Sequence, residues 1–177
     1  FAMSVFFTAG AAVSLLIAPW FFEVVLENRY TAGLSLMPMT FVFCIWISLG
    51  CIGQDYLWVV ERGKWVAVGI GVGFALNIAM NFYLLPIWGL HGAVVATVAS
   101  NGVVLLGLWL AMWKFGFELD QSTVVVSLLP VSLMLSPWVA MFSVVMVCAG
   151  TQQTRRWCGQ LFDQARAKIR RREQLAV

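Results

Sequence analysis

Asn77, Asn81, Thr97, Ser100 and Asn101 are the residues here best suited to chemistry, and the chemistry open to them is hydrogen bonding rather than bond making. Gly69, Gly73, Asn77 and Asn81 recur every four residues and so share one narrow stripe on a helix. Ala93, Thr97 and Asn101 repeat that spacing, flanked by Gly92, Ala96 and Ser100. Glycine at such intervals lets a second helix approach closely, and amide side chains within an apolar run need partners away from hydrocarbon. The two stripes are therefore expected to turn inward and face each other, with Gly69, Gly73, Gly92 and Ala96 as packing positions. Two uses are open to the amides. They form interhelical hydrogen bonds worth about 0.6 to 2 kcal/mol each, or they line a polar cavity through which a hydrophilic cargo passes.

Other reactive side chains are sparse. Gln54 and Asp55 fall in the last turn or so of an apolar segment, where a carboxylate can still reach water. An ionisable group at such depth is a candidate coupling-ion site, although Asp55 is also placed to pair with Arg62 or Lys64. His91 is the single histidine and sits in a short turn. Cys44 and Cys51 lie two helical turns apart, roughly 10 Å, which excludes a disulfide between them. The run Gly69 to Gly73 has the glycine spacing of a phosphate loop but lies inside a lipid-length segment instead of following a strand. No Ser/His/Asp, Cys/His or paired-carboxylate arrangement is visible, so the expectation is a protein that is not an enzyme and uses neither metal nor cofactor.

The elements that must position these residues follow from composition. Apolar residues make up 62% of the 177 residues and charged ones 11%, against roughly 45 to 50% and 25% in soluble domains. Such a chain is solvated by lipid, because a soluble fold has too little polar shell to cover it. A span needs about 20 apolar residues, which predicts five membrane helices: Met3 to Leu26, Leu34 to Trp58, Trp65 to Leu85, Gly92 to Trp113 and Ser122 to Ala149. The expected fold is an all-α integral membrane bundle of about five helices, or six if the last stretch is a hairpin. Runs of this length without strict alternation exclude a barrel.

Residues 1–150 are read as the membrane bundle and 151–177 as a basic tail. Lys and Arg gather at cytoplasmic span ends, which puts Arg62, Lys64 and Lys114 inside and the turn Pro86 to His91 outside. The tail holds seven basic and two acidic residues, a balance of +5, so the remainder carries −2 and the whole-chain charge of +3 belongs to the tail. A single fifth span would leave this tail outside. Pro130 and Pro137 offer the alternative of a bent or re-entrant hairpin that returns it to the cytoplasm, which the tail's charge favours. Trp157, Leu161, Phe162, Ala165 and Ile169 recur at helical spacing while Arg166, Lys168, Arg170, Arg171 and Arg172 lie mostly elsewhere. That pattern suits an amphipathic helix on an anionic leaflet or a solvated, topology-fixing end; nucleic-acid binding is not expected.

The segment Asn77-x3-Asn81-x2-Leu84-x-Pro86-x2-Gly89-x2-Gly92-Ala93-x2-Ala96-Thr97 resembles the polysaccharide (O-antigen) flippases of the multidrug/oligosaccharidyl-lipid/polysaccharide exporter superfamily. Ala18-Pro19-Trp20, Tyr30 and the basic turn Glu61-Arg62-Gly63-Lys64 extend the likeness over roughly residues 10 to 120. Glu27 stands where members often carry glycine, and the region from Pro130 to Ala149 is shorter than their usual final helix pair. The resemblance implies the C-terminal half of a two-bundle, alternating-access transporter in a bacterial cytoplasmic membrane. Its cargo would be a lipid-linked oligosaccharide, and its partners the membrane lipid and an N-terminal helix bundle preceding Phe1. Rival expectations are a multidrug or organic-cation exporter using Asp55, and a non-transporting membrane scaffold.

Overall fold

Long runs of Ala, Val, Leu, Ile, Phe and Met without charged residues satisfy their own backbone hydrogen bonds by coiling, and the chain is helical wherever such a run persists. A computed structural model describes residues 2–150 apart from Asn28 and Asp120, with Gln121 and Ser122 described by backbone alone. The tail residues Arg166, Lys168, Arg170, Arg171 and Arg172 lie outside the described residues.

Seven α-helices are present among the described residues: α1 (Ala2–Val24), α2 (Thr31–Leu34), α3 (Met37–Val59), α4 (Gly63–Trp88), α5 (Leu90–Lys114), α6 (Gln121–Leu128) and α7 (Pro137–Gly150). Four of them, α1, α3, α4 and α5, are long and apolar enough to cross a membrane. Their outward faces carry large apolar side chains such as Phe6, Trp58, Phe74, Phe82 and Trp113, the surface expected where lipid is the solvent.

Of the two readings of the last apolar stretch, one span or a stretch bent at Pro130 and Pro137, the structure shows the interrupted form. Residues 122 to 149 do not form one helix; α6 stops at Leu128, a 3-10 segment (Leu129–Met134) follows, and α7 begins at Pro137. Proline supplies no N–H and its ring clashes with the preceding turn, so Pro130 and Pro137 divide a segment whose hydropathy is continuous. Buried Leu129, Pro130 and Leu133 seat this break in the core. Ser4 on α1 donates to the Val126 carbonyl at 2.6 Å, and the Trp46 indole on α3 donates to the Ser127 carbonyl at 3.0 Å. Side chains thus take up carbonyls near the point where the helix loses its regular pattern.

α3 stands between two groups of elements. On one side it meets α1 and the 3-10 segment around Ala11, Ala12, Leu15, Val42, Ile45 and Leu133. On the other it meets α5 around Leu57, Leu108 and Met112, where Val66 of α4 joins. α4 lies mainly against α5, and only its Val66 and Gly73 are buried.

The turn between α4 and α5 is tighter than expected. Helix α4 continues through Pro86 to Trp88 and α5 starts at Leu90, which leaves Gly89 alone as the reversal. Its backbone, at φ 55° and ψ −134°, is a conformation essentially confined to glycine. Gly89→Ala is therefore expected to destabilise the α4–α5 hairpin by about 1 to 3 kcal/mol, measured by unfolding in mixed micelles; an unchanged midpoint would contradict this geometry. His91 belongs to the first turn of α5, where its Nε2 lies 3.2 Å from Ser35 Oγ and ties α5 to the segment before α3.

At the opposite end, aromatic rings hold the basic residues. The Arg62 guanidinium sits 5.0 Å from the Phe115 ring centre and Lys114 Nζ 4.9 Å from that of Trp65. Tyr56 donates to the Phe115 carbonyl at 3.0 Å, so the α3–α4 turn and the end of α5 form one fastened cluster.

Candidate functional site: a polar cleft between three helices

The four-residue spacing that aligns Gly69, Gly73, Asn77 and Asn81 on α4 lays their stripe along α5. At Gly73 a β-carbon would overlap the Val104 side chain and lie 3.4 Å from the Ser100 carbonyl oxygen. Glycine thus sets the helix separation there. Gly92 is similarly hemmed in by the Leu84 carbonyl across the hairpin, and Ala96 is fully buried. Gly69 is different: a β-carbon would make ordinary contact with Leu108 at 3.8 Å, so close approach does not depend on it.

With the helices this near, the Asn77 amide reaches α5. Its Nδ2 donates to Ser100 Oγ at 3.1 Å and to Thr97 Oγ1 at 3.4 Å. Thr97 and Ser100 pass their own protons to the Ala93 and Thr97 carbonyls. Asn81 donates to both the carbonyl and Oδ1 of Asn77, at 2.9 and 3.0 Å, and so buttresses Asn77 from one turn away. Asn101 donates to the Thr97 carbonyl at 2.8 Å. In hydrocarbon these bonds matter because the alternative is an unpaired polar group.

Beside this network α3, α4 and α5 together line a cleft of about 340 Å³. Gln54, Asn77, Ser100 and Asn101 are its polar lining, set among Trp46, Phe74 and other apolar groups. Asn81 and Thr97 support the network from outside the lining. No Asp, Glu, Lys or Arg faces the cleft among the described residues. Gln54 has no hydrogen-bond partner among the described residues, and Asn101 has one. The cleft therefore keeps unused amide donors and acceptors between membrane-length helices, where an uncharged polar molecule could engage them.

Asp55 points elsewhere. It is exposed and makes no ion pair with Arg62 or Lys64; among the described residues the sole pair is Arg29 with Glu27, at 2.9 Å on the surface. Among the described residues no cluster of three or more His, Cys, Asp or Glu side chains forms. Cys44 and Cys51 are free thiols on α3.

Sequence reasoning did not single out Trp46, which lines the cleft from α3 while its indole holds the end of α6 at the Ser127 carbonyl. Its ring lies against Gly102 on α5. Nothing in the spacing along one helix encodes that pairing. No family model matches this chain, and no curated protein or solved structure matches it.

Proposed function

We propose that the chain forms one bundle of an alternating-access carrier that moves a lipid-linked oligosaccharide from the inner to the outer leaflet of a bacterial cytoplasmic membrane. The observation that carries this reading is the spare hydrogen-bonding capacity of Gln54 and Asn101 in an uncharged cleft between membrane-length helices. A sugar head needs many neutral donors and acceptors, and its lipid tail stays in the bilayer outside. A second bundle completes the cavity wall, with the largely unburied α4 as the surface left for it. The cation-exporter reading is less favoured because its carboxylate, Asp55, does not line the cleft.

Gln54 contributes an unpaired amide, so Gln54→Leu removes a cargo contact without breaking a hydrogen bond among the described residues. In proteoliposomes containing both bundles, inward-to-outward movement of a lipid-linked oligosaccharide is expected to fall about tenfold, the equivalent of one well-placed hydrogen bond. Unchanged transport would remove Gln54 from the cargo path.

A further inference from the structure

On the other side of Trp46 lies a groove of different chemistry. It runs between α5 and α6, has a volume of about 460 Å³, and is walled by Leu105, Leu106, Trp109, Leu110, Val124 and Leu128. Its lining is almost wholly apolar. At Leu110 the groove meets a wider hollow of about 560 Å³ bordered by Trp113 and Lys114. Here Lys114 is exposed, and its ammonium is held above the Trp65 ring. Glu118, one turn further along the chain, is exposed and makes no ion pair with Lys114 among the described residues.

The dimensions fit one kind of occupant. From Gly102 at the inner end of the groove to Lys114 at the mouth is twelve helical residues, about 18 Å. The hydrocarbon depth of one leaflet is about 15 Å, half of a roughly 30 Å core. We infer that this groove and hollow are a binding site for an anionic phospholipid, with one acyl chain between α5 and α6 and the phosphate at Lys114. A chain alone would be satisfied by the groove. The cation at its mouth, fixed over an aromatic ring and free of a carboxylate partner among the described residues, adds the preference for negative charge. Arg62, held over Phe115, whose ring is 6.0 Å from that of Trp65, extends the positive field on the same side. The site is separate from the polar cleft and does not depend on the cargo proposed above.

The test uses the whole chain in phosphatidylcholine nanodiscs, doped with phosphatidylglycerol or phosphatidylcholine that carries a diazirine on one acyl chain. After photolysis, peptide mass spectrometry locates the label. Phosphatidylglycerol is expected to label Leu106, Leu110, Val124 and Leu128 about fivefold more than phosphatidylcholine, the preference one basic residue near the surface supplies. Lys114→Gln should bring the two lipids level, whereas Lys114→Arg should preserve the difference. Val124→Trp, on the exposed rim, should block labelling of the groove by both. Equal labelling in the unmodified chain, or a preference that survives Lys114→Gln, would overturn the assignment.

Discussion

Replacing Asn77, Asn81 and Asn101 together by leucine is expected to lower glycolipid export by the two-bundle protein about 100-fold, the loss of two cleft contacts, at Asn77 and Asn101, of about 1.4 kcal/mol each. Asn77 and Asn101 line the cleft, while Asn81 holds Asn77 by donating to its Oδ1. Leucine removes the amides but favours membrane insertion, so the protein should reach the membrane in normal amount. Export assayed beside that amount separates cargo contact from assembly. If both were unchanged, the amides would serve neither packing nor transport; if only the amount fell, they would be interhelical bonds and nothing more.

The second large effect is structural. Gly73→Val places a branched side chain where even a β-carbon overlaps Val104. Lipid offers no hydrophobic drive to hold two helices together, so their contact depends on close packing and on the Asn77 bonds that closeness permits. Overfilling it is expected to cost about 1 to 3 kcal/mol, with the Asn77–Ser100 bond lost as well. Steric-trap or detergent unfolding would read the loss. Gly73→Ala combined with Val104→Ala makes room for the new methyl and should recover most of the stability; failure to recover would mean that α4 and α5 are held by something other than this contact.

The α4–α5 face was legible because its residues leave few cheap placements. An asparagine every fourth residue, in phase with glycine, costs too much facing acyl chains, so the spacing of Gly73, Asn77 and Asn81 fixes an inward face for α4. Four helix spans could likewise be read from apolar length alone, with ends within a few residues of those observed. Hydropathy alone left the last apolar stretch undecided between one span and a bent form, because it measures transfer to lipid and not the backbone limits set by Pro130 and Pro137. The turn at Gly89 was drawn too wide for a related reason: Pro86 is tolerated within the last turn of α4, and a single left-handed glycine suffices to reverse the chain. Trp46 escaped notice since its partners, Gly102 and Ser127, are distant in sequence. Gly69 shows the converse, a residue in perfect register whose small size the packing does not require.

The cleft is also where the division of labour among the amides becomes visible, which spacing could not convey. Asn77 spends its amide on α5, Asn81 spends its own on Asn77, and Gln54 and Asn101 retain capacity. Stability and cargo contact are thus carried by neighbouring residues of the same type, so single substitutions should separate the two.

Water in the cleft is the most direct thing to measure. With the native cysteines replaced, a single cysteine is placed at Asn101 in the cleft or at Val72 on the outward side of α4, where the residue is 53% exposed. A charged methanethiosulfonate reacts only with a hydrated thiol, so Asn101→Cys should be modified about 100-fold faster than Val72→Cys, in line with the cost of moving such a charge into lipid. Equal and negligible rates at both positions would mean that the cleft is dry, and that its amides hold helices together without offering a path to a hydrophilic cargo.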